Sequence, residues 1–232
     1  MPPLTQNLQI AQRRIDEHRH AAEKALRDRI RDFEKRLDSY YQQAESFQSK
    51  TDGMRSSEIK SNVAALDELQ SNLAQAREEA ARVAREQALL EQDVVSFPQV
   101  QQAETVLEPF EKLWRTADKF FTQTEAWMSG SFLQLNAEEV EEELSQLFRQ
   151  AFKLAKQLAD YKGPAKAAEQ LRAKVEDFKK HVPIIQVVCN PGLQDRHWDK
   201  ISDLSGYDLK PDATTTLGQV CRLGSECSVG RS

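Results

Sequence analysis

Between Leu4 and Val95 the chain holds a single glycine, Gly53, and no proline. A stretch that avoids both breakers for so long has one regular option, the α-helix. The apolar spacing agrees. Leu26, Ile30, Phe33, Leu37, Tyr40, Ala44 and Phe47 step by three and four. So do Leu66, Leu69, Leu73, Ala76, Ala80, Val83, Gln87, Leu90 and Val94. Each series draws one stripe along one helix face. The first stripe stops at Ser49–Gly53, where Asp-Gly signals a turn. The reading is two long helices, folded back on each other or meeting at an angle. Alanine and glutamine in the second stripe suit a helical bundle better than a two-stranded zipper, which prefers leucine with β-branched partners. Such stripes need partner helices to cover them.

Beyond Phe97 the spacing persists while the punctuation becomes denser. Pro98 opens a helix at its first turn. Val100, Ala103, Leu107, Phe110, Trp114, Ala117, Phe121, Thr124 and Met128 line one face, with Pro109 as a kink or restart and Gly130 as the stop. Asn136 caps the next helix, with Glu139 three residues on as in a capping box. Five glutamates between Glu138 and Glu143 crowd its positive end. Val140, Leu144, Leu147, Ala151, Leu154 and Leu158 form its inner face. Gly163 and Pro164 separate it from a helix with Ala168, Leu171, Val175, Phe178 and Val182 inward, which Pro183 ends. Ile184–Val188 is β-branched and reads as a strand or an extended connector. Asn190-Pro191-Gly192 is a turn, and Gln194–Ser205 a short helix. From Leu217 to Ser232 glycine, serine and cysteine replace periodicity, and disorder is expected.

Composition narrows the function classes. Charged residues make up 30% and hydrophobic ones 39%, proportions of solvent-washed helices rather than a thick core. No apolar run nears the roughly 18 residues of a membrane span. Met1–Ile10 lacks a secretory pattern, and three cysteines make a poor disulfide framework, so a cytoplasmic location and no membrane partner are expected. The net charge is -5. The most basic stretch, Arg13–Arg36, interleaves nine cations with six acids, a solvated helix face rather than a nucleic-acid footprint.

Chemistry is sparse. Gly224–Ser232 echoes a phosphate loop, but the spacing is one residue too long, arginine stands for lysine, and no helix follows in the sequence. His18 and His20 point to different helix faces. Cys221 and Cys227 are too far apart for a zinc knuckle. His181, Cys189 and His197 read as packing residues. No nucleophile motif occurs, and the Glu138–Glu143 cluster is a helix N-terminus without a dry cleft. No catalytic, cofactor or metal residue and no small-molecule substrate are expected; the chain reads as a non-enzyme.

Several separated patches carry a resemblance. Asn190-Pro191-Gly192-Leu193, then Arg196-His197-Trp198 and Ile201-Ser202, form the densest run of unusual residues. Upstream stand Leu113-Trp114, Trp127-Met128-Ser129-Gly130-Ser131-Phe132, and Phe178-Lys179-Lys180-His181-Val182-Pro183. Downstream come Tyr207-Asp208-Leu209 and Thr214-Thr215-Thr216-Leu217. Together they resemble the linker of dynein heavy chains, most closely the axonemal ones. The resemblance implies an all-α fold: elongated, coiled-coil-like tail-type helices over residues 1–94, the N-terminal part of a linker over 95–216, and a tail over 217–232. It implies structural roles for Trp114, Trp127, Asn190, Pro191, Gly192, Leu193, Arg196, His197 and Trp198. In the family the linker is a helical arm across a ring of six ATPase modules, and its change of angle moves cargo towards microtubule minus ends. The implied partners are that ring and the intermediate and light chains, in the ciliary axoneme. Two features depart from the pattern. Gln194 stands where a basic residue is frequent, and Gly218–Ser232 looks unrelated, as in a truncated copy. The alternative reading is an independent coiled-coil adaptor that binds other helices, motivated by the stripes of residues 26–94.

Overall fold

A computed structural model describes residues 4–50, 53–131, 135–190, 192–205 and 215–220. The fold is all-α. The helices are α1 (Leu4–Ser46), α2 (Ser56–Leu89), α3 (Pro98–Ser129), α4 (Ala137–Gln157), α5 (Lys162–Lys179), α6 (Val182–Val188) and α7 (Asp195–Ser205). A 3-10 turn, Phe47–Ser49, follows α1. No β-strand occurs among the described residues, whose one β-bridge joins Ser131 and Thr216. None of these helices is long and apolar enough to cross a membrane.

By contact the chain divides into two compact units, Met1–Gln48 with Ala64–Glu108, and Ser49–Val63 with Pro109–Ser232. In the first, α1 and α2 run antiparallel. Arg36 meets Glu79 at 2.7 Å, Arg29 meets Glu86, and Arg19 meets Glu91 at 3.3 Å, so partner numbers rise as α1 numbers fall. Pairs this exposed add little stability, and register is their main effect. The stripes supply the core: Leu26, Phe33, Leu37 and Ala44 against Leu66, Leu69, Leu73, Ala76 and Val83. The first part of α3 adds Val100, Ala103 and Leu107. Phe97 stands edge-on to Phe33, with centroids 4.9 Å apart.

Gln87 sits in the stripe and is buried because it closes the end of α2. Its side-chain carbonyl accepts from the Val95 N–H at 3.1 Å, and its main-chain carbonyl accepts from the Gln92 N–H at 2.9 Å. The second bond is the signature of a Schellman cap, which places Glu91 in the left-handed region at φ 58°. Arg19 donates to the Leu90 carbonyl at 3.2 Å and ties α1 to the cap. A side chain at left-handed φ costs about 1–2 kcal/mol, which glycine avoids. Glycine forfeits the weak, exposed Arg19 pair and adds unfolded-state entropy worth roughly 0.5–1 kcal/mol. Glu91→Gly is therefore expected to raise stability by about 0.5 kcal/mol and Glu91→Ala to lower it, a difference of sign that thermal melts of the two variants resolve.

In the second unit, α4 and α5 form a helical hairpin. The Asn136 side chain accepts from the Glu138 N–H at 3.0 Å, and its amide donates to Glu139 at 3.0 Å. The predicted capping box is thus realised with the Asn136 amide in place of its main-chain N–H. Val140, Leu144, Leu147, Ala151, Leu154 and Leu158 are buried along α4, and Ala167, Ala168, Leu171, Val175 and Phe178 along α5. The second part of α3 contributes Phe110, Leu113, Trp114, Ala117, Phe120 and Trp127. Pro109 lies inside α3, which runs through it without restarting and lacks one hydrogen bond there.

Two expectations need correction. Ile184–Val188 is neither strand nor extended connector: it belongs to α6, which Pro183 opens rather than forbids. Val182, Ile185 and Val188 recur every three residues and are buried, so helical spacing overrides β-branching in so short a run. Nor does order end at Leu217. Leu217–Val220 forms a helical turn, and the Leu217 side chain is fully buried. The remainder of the expected disordered tail, 221–232, lies outside the described residues.

Candidate functional site

The Asn190–Trp198 segment is built by local hydrogen bonds. Asn190 accepts at its side-chain oxygen from the Gly192 N–H at 2.8 Å, and at its carbonyl from the Leu193 N–H at 3.0 Å. This is an Asx-turn, for which asparagine is well suited. Gln194 then takes the N-cap position of α7. Its carbonyl accepts from the His197 N–H at 2.8 Å, and its N–H donates to His197 Nδ1 at 3.0 Å. His197 thus does the work of the acidic residue in a capping box, and that bond requires the tautomer whose Nδ1 is free to accept. Trp198, next in line, is buried. Leu193 and His197 are half-buried, and Asn190, Gly192 and Arg196 are exposed. Pro191 lies outside the described residues. Gln194 needs no charge for the role it plays here.

Parts of three other patches, 127–131, 178–181 and 216–217, meet around the C-terminal end of α3. Trp127 stacks at a tilt of 31° on Phe178, with centroids 5.7 Å apart. Phe178 is edge-on to Phe120 at 6.4 Å and to His181 at 5.5 Å. Offset and edge-on pairs of this kind are worth about 0.5–1.5 kcal/mol beyond their burial. Ser131 bridges to Thr216, and a β-carbon added to Gly218 would sit 3.0 Å from the Met128 carbonyl oxygen. A side chain there would be tighter than most such contacts, and the Met128 main chain would have to give by a few tenths of an ångström. Segments far apart in sequence, 127–131, 178–181 and 216–218, therefore form one seam. Trp114 is completely buried. Phe132 and the Tyr207–Leu209 patch lie outside the described residues.

Burial pushes the Cys189 thiol up, away from the thiolate that nucleophilic chemistry needs. Among the described residues no three His, Cys, Asp or Glu side chains gather as metal ligands. The acidic start of α4 is spent on neighbours. Glu141 accepts from Gln186 at 2.8 Å, Glu142 from Gln146 at 3.3 Å and Glu143 from Gln123 at 2.5 Å. The capping role of Gln87, the Arg19–Leu90 tie and the left-handed Glu91 were not foreseen from the sequence. Only Gln87 left a trace in the sequence, as a polar residue on an apolar stripe.

Comparison with known proteins adds an independent finding. Residues 100–228 match the N-terminal region 2 of dynein heavy chains. That match runs past Leu217, so most of the Gly218–Ser232 end, which looked unrelated, falls within the matched region. The chain is similar to dynein axonemal heavy chain 3 of Mus musculus, 41% identical over 206 residues, or 89% of this chain. It is 39% identical over the same length to the Homo sapiens counterpart. Dynein axonemal heavy chain 1 of Homo sapiens is 30% identical over 116 residues, half of this chain. The chain spans 5% of the length of the heavy chain 3 relatives and 3% of heavy chain 1.

Proposed function

Because this chain belongs to the dynein heavy chain family, through its N-terminal region, we propose that it is a mechanical segment of an axonemal motor: tail-type helices over residues 1–94 and the start of the linker over residues 95–216. It carries force and catalyses nothing. The observation behind this reading is the pairing of that family match with what the matched residues do. Trp114, Trp127, Phe178, Trp198 and Leu217 are all buried and act as packing residues. Side chains locked in a close-packed interior transmit strain, which suits an arm and not an active site.

In this reading the ring that binds and hydrolyses ATP belongs to other parts of a heavy chain, and the segment works inside a dynein complex of the ciliary axoneme. The comparisons give the independent-adaptor reading no support. The direct test is a titration of the purified chain with magnesium ATP, followed by calorimetry and by phosphate release. Neither saturable heat nor turnover is expected. Turnover that survives repeated purification would end the non-catalytic reading.

A further inference from the structure

The α4–α5 hairpin carries an unmatched cationic tip. Residues 149–168 contain five cations, Arg149, Lys153, Lys156, Lys162 and Lys166, and one acid, Asp160, in a chain whose net charge is -5. All five cations are exposed. Arg149, Lys153 and Lys156 recur at helical spacing on the face of α4 opposite its buried residues, and Lys162 and Lys166 lie one turn apart on α5. Among the described residues none of the five forms an ion pair. Arg149 donates only to the carbonyl of Ser145 at 3.2 Å, and Lys156 lies 4.5 Å over the Phe152 ring. Phe152 itself is 40% exposed, a large apolar group left in solvent beside the cations.

We propose that this tip docks a short acidic polypeptide segment of a partner protein. The carboxylates complement the cations, and Phe152 offers an apolar contact at the centre. The patch is bounded. About 9 Å up the helix from Arg149 the glutamate ridge ending at Glu143 begins, at 1.5 Å per residue. Five or six extended residues at roughly 3.3 Å each fit between that ridge and the hairpin turn. A nucleic acid, with a phosphate charge about every 1.7 Å along its axis, runs on into the glutamates.

The test is a titration of the 232-residue chain against fluorescein-labelled hexaglutamate, read by anisotropy at low and moderate salt. Saturable binding that weakens with salt is expected. Lys153→Glu combined with Lys156→Glu is expected to weaken it at least about tenfold, as loss of complementary charge does at an electrostatically steered surface. The milder pair Lys162→Gln and Lys166→Gln weakens it less. Lys24→Glu with Arg27→Glu, on exposed cations of α1, leaves it unchanged, and circular dichroism verifies that each variant is folded. Equal affinity of parent and Lys153/Lys156 variant, or no saturation, overturns the proposal. So does tighter binding of a single-stranded hexanucleotide that the same variant abolishes, since the surface is then one for nucleic acid.

Discussion

Trp114→Ala is expected to cost the second unit about 3–5 kcal/mol, the range for removing a fully buried large aromatic. The indole is 0% exposed and sits among Phe110, Leu113 and Ala117 on the inner face of α3. The loss lowers the urea midpoint by roughly 2 M if the slope is about 2 kcal/mol per molar. The readout is convenient, because all three tryptophans, Trp114, Trp127 and Trp198, fall in that unit. Trp127 and Trp198 still report its unfolding in the variant. The conservative partner sharpens the test. The Trp114 Nε1 meets no acceptor among the described residues, so Trp114→Phe keeps most of the ring and discards a donor that gains nothing. It is expected to cost about 1 kcal/mol. Equal losses for Ala and Phe would mean that packing of the ring is not what holds this helix.

Trp198→Ala is the second large effect, expected at about 3 kcal/mol or more in the same unit. Trp198 is 6% exposed and follows the His197 cap, so the run Asn190–Trp198 is a built turn ending in a buried anchor. His197→Ala, which removes only the cap acceptor, is expected to cost about 1 kcal/mol. The ordering is the informative part, and urea titration followed by circular dichroism measures it. A transition unchanged by Trp198→Ala sinks the claim that the motif is structural.

Much of the architecture was legible in the sequence because it rests on periodicity. The stripe Leu26–Phe47 became the inner face of α1 and its 3-10 turn, and the Asn136 cap was visible from one residue type and one spacing. The stripe Leu66–Val94 became the inner face of α2 only as far as Gln87, because the helix ends at Leu89 and Val94 is exposed. What stayed hidden depended on neighbours far along the chain. Ile184–Val188 follows its three-residue spacing rather than its β-branching. Leu217 is ordered by contact with a distant part of the fold, and no local signal distinguishes it from the polar sequence that follows. The left-handed Glu91 had no glycine or asparagine to announce it. The motif residues were legible as a family pattern, whereas their mechanics were not: the Gln194–His197 cap and the Trp127–Phe178 stack exist only once the chain is folded.

Whether these residues carry force rather than perform chemistry can be read from a chimera. The segment of dynein axonemal heavy chain 3 that corresponds to residues 100–228 is replaced by that of this chain, with and without Trp198→Ala, and ATP turnover and microtubule gliding are measured on the same preparations. If the segment has a force-bearing role, the unaltered chimera turns over ATP and glides, while the Trp198→Ala chimera keeps its turnover and loses gliding. Turnover and gliding that fall together, or gliding untouched by the substitution, would contradict it.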